Sequence, residues 1–171
     1  MVIRTAIIIT SDRGARGERA DRSGPAIRQM LQEQQEQTYE VIGLEVVPDE
    51  KEAIQKAIKQ FSDAKPVGCD LILTSGGTGL SPRDVTPEAT IEVVDRLVPG
   101  FAEAMRMVSL AKTPQAIISR AVCGTRCQSL ILNLPGSPKG ARECLEVVLP
   151  AIPHAIAKLK GDPSDCGLGG S

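Results

Sequence analysis

Three aspartates stand just past apolar runs and beside small residues. They are Asp12 in Thr10-Ser11-Asp12-Arg13-Gly14, Asp49 in Val47-Pro48-Asp49-Glu50, and Asp84 in Gly76-Gly77-Thr78-Gly79-Leu80-Ser81-Pro82-Arg83-Asp84. Glycines let a backbone approach a ligand closely, and amides left free in such loops attract anions. Carboxylates beside a bound phosphate would repel it. A bridging Mg2+ removes the conflict, because it takes oxygens from one or two carboxylates together with substrate phosphates and draws charge off phosphorus during attack. Asp49 and Asp84 are therefore the candidate catalytic and metal-ligating residues, while Asp12 reads better as a turn or scaffold residue. Each acid keeps a plainer alternative. Asp49 can cap the helix that follows, worth about 1 kcal/mol, and Asp84 can form an Asx-turn ahead of Thr86.

The glycine loop lies in a longer stretch, Leu71-Ile72-Leu73-Thr74-Ser75 through Thr86-Pro87-Glu88. This reads as a buried strand, a loop, and a helix start with Thr86 as cap and Pro87 in the first turn. It lacks GxxxxGK[ST] and GxGxxG, so neither a Walker loop nor a dinucleotide fingerprint is present. Asn133-Leu134-Pro135-Gly136-Ser137-Pro138-Lys139 is a second strand-loop-helix junction, with Ser137 as cap and Pro138 first in the helix. Lys139 opposes the helix dipole there, which an anion partner would explain and plain solvation would also permit. His154, the single histidine, is expected to pack in the last helix, so histidine catalysis is not expected.

The elements that must position these residues alternate in type. Ile3 to Thr10 is a buried strand of the parallel-sheet kind. A helix is expected from Ser23 to about Gln37, a strand over 41–47, and an amphipathic helix carrying Ala53, Ile54, Ala57, Ile58 and Phe61. Asp49 and Glu52 form a near capping box for it. Beyond the glycine loop come a helix from Pro87 to about Leu97, with Ile91, Val94 and Leu97 inward, and another over 101–111. Ile117–Cys123 and Leu130–Leu134 read as strands joined by a turn at 124–127. A final helix is kinked or split at Pro150 and Pro153. The order implies an α/β fold, a single three-layer domain over 1–161 with a mainly parallel central sheet flanked by helices. A flexible tail is expected over 162–171. In such sheets ligands bind beyond the carboxyl ends of the strands, where all of these loops fall.

The composition narrows function. With 171 residues, 42% hydrophobic and 24% charged, the chain is an ordinary globular one. A net charge of −1 and three aromatics give no footprint for nucleic acid. No apolar run suits a membrane span, and Met1-Val2-Ile3-Arg4-Thr5 does not read as a signal peptide, so a cytoplasmic location is expected. Five scattered cysteines without a CxxC pair imply free thiols rather than a zinc site.

Thr74-Ser75-Gly76-Gly77-Thr78-Gly79 followed by Pro82-Arg83-Asp84-Val85-Thr86-Pro87-Glu88-Ala89-Thr90 resembles the signature of the molybdopterin adenylyltransferase family, which includes bacterial MogA and the gephyrin G domain. Ser11-Asp12, Asp21-Arg22-Ser23-Gly24-Pro25, Val47-Pro48-Asp49-Glu50, Ser119-Arg120 and Asn133-Leu134-Pro135-Gly136-Ser137-Pro138 are similar to further family segments, in the family's order. The resemblance implies a trimer in which the terminal phosphate of molybdopterin attacks the α-phosphate of Mg-ATP, giving adenylyl-molybdopterin and pyrophosphate. It implies that Asp49 and Asp84 are essential. It also implies that nucleotide and pterin phosphate are held by Ser11, Asp12, Thr74, Ser75, Gly76, Gly77, Thr78, Gly79, Thr86, Pro87, Glu88, Ser119, Pro135, Gly136, Ser137, Pro138 and Lys139. Ser137 fills the variable position of LPGxP. A molybdenum insertase is the partner implied, as a separate protein or a fused module. A MoaB-like pterin-binding or scaffold protein with little transferase activity is the alternative.

Overall fold

The computed structural model describes residues 1–64 and 68–163; the expected tail beyond 163, with Cys166, lies outside the described residues. Six strands form one sheet in the order β2-β1-β3-β6-β5-β4. These are β1 Val2–Thr10, β2 Thr38–Val47, β3 Leu71–Ser75, β4 Arg96–Leu97, β5 Cys123–Arg126 and β6 Ser129–Leu134. The four strands β2, β1, β3 and β6 are parallel, and β5 and β4 add an antiparallel edge. The helices are α1 Asp12–Ala15, α2 Ser23–Gln32, α3 Lys51–Ser62, α4 Thr86–Ile91, α5 Pro99–Leu110, α6 Pro138–Val148 and α7 Ile152–Leu159.

The period-2 pattern of the strands makes the three layers. Ile3, Ile7, Ile9, Leu71, Leu73, Leu130, Leu132 and Leu134 face one side, under α2, α5, α6 and α7. Ala6, Ile8, Ile72 and Ile131 face the other, under α3 and α4. Both faces are covered, so the central strands are apolar throughout. The chain leaves β1 for β2 on one side and returns to β3 on the other. That reversal opens a crevice at the carboxyl ends of β1 and β3, where Ile9 pairs with Ser75 in register.

Several local expectations are corrected. α2 ends at Gln32, because Leu31 is its last buried residue and the glutamines and glutamates over 33–37 are exposed or half-buried. Glu50, not Asp49, is the N-cap of α3, and no side chain caps that helix. α4 stops at Ile91; Ile91 and Leu97 are exposed, and Arg96–Leu97 turns out to pair with β5. Pro114–Ile118 is a 3-10 helix rather than a strand, with Ile117 72% exposed. Gly124 to Arg126 belongs to β5, and the hairpin turns at Cys127, whose φ of 52° is the left-handed one the turn requires. The last helix does divide, through a 3-10 turn at Leu149–Ala151. His154 is exposed, not packed.

Candidate functional site

The β1 end sets the first wall. Ser11 caps α1, its Oγ accepting from the Gly14 amide at 3.0 Å. Asp12 and Asp49 then lock to one another: Asp12 N–H donates to Asp49 Oδ2 at 2.8 Å, and Asp49 N–H donates to Asp12 Oδ1 at 3.0 Å. The guanidinium of Arg83 donates to both oxygens of Asp12, at 2.9 and 2.7 Å. That contact holds the Asp12 carboxyl below its ordinary range. Burial pushes the Asp49 carboxyl up, and the charges of Asp12 and Asp84 push the same way. Asp49 therefore does not cap α3; it uses one oxygen on the Asp12 amide at the start of α1 and leaves Oδ1 near Gly77.

The glycine loop forms the floor. Gly76 has φ 110° and Gly77 φ 61°, conformations that side chains rarely adopt. A Cβ on Gly76 would sit 2.4 Å from the Thr10 carbonyl oxygen. The Gly76 amide is committed to Leu134 O at 3.2 Å, whereas the amides of Gly77, Thr78 and Gly79 have no partner among the described residues. Ser75 Oγ ties the loop to Pro135 O, and Ser23 Oγ ties α2 to Gly136 O, both at 2.8 Å. Asp84 closes a small turn: Ser81 N–H donates to its Oδ2 at 2.9 Å and its own N–H to Ser81 O at 2.8 Å.

A cleft of about 400 Å³ gathers Ser11, Asp49, Ser75, Gly76, Gly77, Asp84, Gly136, Ser137 and Pro138. A second, of about 260 Å³, shares Ser137 and adds Thr78, Ser119 and Pro135 with Met105, Ala116 and Ala121. Not every expected residue reaches these clefts. Thr74 is fully buried and accepts from Asn133 Nδ2 at 2.9 Å. Thr86 is no cap: it lies inside α4, fully buried, with its hydroxyl on Thr10 Oγ1 at 3.3 Å, and Val85 precedes it as N-cap. Pro87 is buried beside it. Glu88 is paired with Arg120. Lys139 lines a different groove of about 770 Å³, with Glu33 and Glu146. A Cβ on Gly79 would sit 2.9 Å from Asp84 Oδ2.

Sequence reasoning gave no role to Arg19, nor to Asp21, Arg22 and Arg120, although the last three stand in segments that carry the family resemblance. Asp21 accepts the Ser23 and Gly24 amides at the start of α2, which the Asp-Arg-Ser-Gly spelling does signal. Arg19 and Arg22 line the 400 Å³ cleft from a connecting segment without local pattern. Arg120 is set by contacts 32 to 41 residues away, which no local spacing announces.

Asp49 and Asp84 each keep one oxygen free of protein hydrogen bonds among the described residues. Hard oxygen donors, a desolvated carboxylate and neighbouring negative charge suit Mg2+. Among the described residues no group of three or more such side chains could hold a metal alone. Two carboxylates completed by phosphate oxygens is the arrangement that fits.

The family of probable molybdopterin binding domains matches residues 6–154. The molybdopterin adenylyltransferase of Helicobacter pylori J99 is 45% identical over 160 residues, covering 94% of this chain and 89% of that protein. That of Escherichia coli K12 is 39% identical over 171 residues, covering 93% and 86%. The crystal structure of the molybdopterin biosynthesis enzyme MoaB from Thermus thermophilus superposes with a TM-score of 0.85 at 54% identity, covering 95% of this chain and 99% of that one.

Proposed function

The chain belongs to the molybdopterin-binding domain family and acts in molybdenum cofactor biosynthesis as a molybdopterin adenylyltransferase, and on that premise we propose that it joins the terminal phosphate of molybdopterin to the α-phosphate of Mg-ATP in the cleft beyond β1 and β3. The new bond runs from a molybdopterin phosphate oxygen to the α-phosphorus; the bond to the β-phosphate oxygen breaks, and pyrophosphate leaves. The observation that carries this reading is the pairing of Asp49 and Asp84 on one cleft with Gly77, the first of three successive glycine-loop residues whose amides are free among the described residues. Asp49 Oδ1 and Asp84 Oδ1 would hold Mg2+, which when bound neutralises charge on the phosphate oxygens. The amides of Gly77, Thr78 and Gly79 fix the phosphates without a counter-charge of their own. Ser11, Gly136 and Ser137 close the cleft around them. The second cleft, with Met105, Ala116, Ala121 and Pro135, offers apolar walls to a flat heterocycle.

The function extends to a homotrimer in our reading. Met107 is 70% exposed, and Leu110, Ile117 and Ile118 are exposed near it in sequence, more apolar surface than a lone subunit needs. One second reading is a MoaB-like pterin binder with weak transfer, although the MoaB that is 54% identical to this chain is itself named a biosynthesis enzyme. One experiment separates the two. Molybdopterin, ATP and Mg2+ are supplied, and pyrophosphate and adenylyl-molybdopterin are measured. Stoichiometric binding without turnover refutes the transferase reading; turnover abolished by EDTA and restored by Mg2+ supports it.

A further inference from the structure

Asp84 sits on a loop with little packing of its own. Leu80 is 65% exposed, and Ser81, Pro82 and Arg83 are exposed as well. Its internal bonds, between Ser81 and Asp84, fix the turn's shape but not where the turn stands. One anchor is Arg83, whose guanidinium holds both oxygens of Asp12 at 2.9 and 2.7 Å, and Arg120 supplies the others. Arg120 Nε donates to Gly79 O at 2.7 Å, and one terminal nitrogen donates to Asp84 O at 2.6 Å. The other terminal nitrogen bonds Glu88 Oε1 in the first turn of α4. The Arg120 amide adds a bond to Thr78 O at 2.9 Å. One planar fork thus grips both ends of the loop and the helix that follows.

The fork is itself anchored. Arg106 on α5 donates to Ala121 O at 2.8 Å and to Ser119 O at 3.5 Å, on either side of Arg120. Val122 then locks to β6, its N–H on Asn133 Oδ1 at 3.2 Å and its O accepting from Asn133 N–H at 3.0 Å. A continuous chain of directional bonds leads from the packed core to the backbone of Asp84.

We propose that Arg120 is the positioning residue for Asp84, holding the 79–88 segment so that the free carboxylate oxygen faces the cleft; this rests on the adenylyl-transfer reading above. Arg120 commits its fork to protein acceptors, so its loss should act on the reacting geometry rather than on substrate affinity. A lysine offers a point charge in place of a rigid fork and can satisfy only part of this set. Displacement of a reacting group by about 1 Å costs on the order of a hundredfold in rate.

The test uses R120K and R120A, with D84N and the double variant D84N/R120A. Expected for R120K is a kcat lowered at least about tenfold with the KM for Mg-ATP within about threefold. On the D84N background, R120A should cost less than about twofold more, because the group it positions is already gone. Losses that multiply in the double variant would overturn the proposal, as would a wild-type kcat in R120K. Hydrogen exchange supplies an arm independent of turnover. The bonded amides of Ser81 and Asp84 should exchange at least about tenfold faster in R120K while β3 amides keep their rate. Unchanged exchange at Ser81 and Asp84 overturns the clamp even if the protein proves to be no transferase. Absent wild-type turnover, with the exchange difference present, would remove the transferase reading and leave the clamp standing.

Discussion

Replacing Asp49 by asparagine separates scaffold from chemistry. The Asp12 amide donates to Asp49 Oδ2 and Asp49 N–H donates to Asp12 Oδ1, so an asparagine with its oxygen in the Oδ2 place keeps both bonds. Its amide nitrogen then falls at the Oδ1 place near Gly77, a donor where a metal ligand is required. Loss of such a charge-positioning group costs about a hundredfold or more, which is about 2.7 kcal/mol of transition-state stabilisation. Stability should move the other way. Burial raises the Asp49 pKa, so its contribution is favourable below the ordinary 3.8 and is lost as pH rises through the raised value. At pH 7 the ionised group weighs against the fold, and D49N should melt no lower than wild type. The assay is pyrophosphate release with molybdopterin and Mg-ATP, alongside thermal unfolding at pH 7. Turnover within about threefold of wild type in a folded D49N would refute the two-carboxylate argument; an intact rate with a lower Tm would make Asp49 a scaffold residue.

Gly77→Val places a Cβ 2.5 Å from Thr86 Oγ1 at φ 61°; we expect calorimetric binding of Mg-ATP to weaken at least about tenfold and stability to fall by about 1–3 kcal/mol. The Arg126 guanidinium holds the Asp63 carboxyl down at about 2, so its stabilisation is full above the ordinary 3.8 and lost as pH falls through about 2. D63N should therefore be less stable than wild type at pH 7, with the difference vanishing near pH 2, checked by denaturant titration at both. Light scattering at low micromolar protein should report three times the 18.1 kDa chain mass, since a stable interface buries well over roughly 1,000 Å²; a lone subunit there would refute the trimer.

The central sheet was legible because burial on both faces leaves no alternation to interrupt an apolar run, as in Ile7-Ile8-Ile9 and Leu71-Ile72-Leu73. At the sheet's edge the same logic misleads. Ile117 and Ile118 look like strand residues but lie in an exposed 3-10 turn, because β5 finds its partner in β6 only from Cys123 onward. Thr86 has the right type and place for a cap, yet its hydroxyl is taken by Thr10 across the chain, a contact between residues 76 apart. Lys139 and His154 carry chemically useful groups, but helix phase turns both away from the crevice, toward another groove and toward solvent. The loops at the strand ends were legible as a group, since parallel topology alone puts them on one rim. Which of their residues face the cleft depends on side-chain contacts that spacing does not encode.

Division of labour within single side chains explains why three acids can share one rim. Asp12 spends both oxygens on Arg83 and the Asp49 amide, so its charge is answered inside the protein. Asp49 and Asp84 each spend one oxygen on a backbone amide and keep the other. Those backbone bonds fix the carboxylates before any ligand arrives, which spares the reorganisation that weakens catalysis by mobile charges. The remaining negative charge is only partly answered by the protein, and burial makes it costlier at Asp49. In the proposed reaction a divalent cation arriving with a polyphosphate would supply the missing counter-charge, and the repulsion held between these acids would become binding energy for the metal-bound nucleotide.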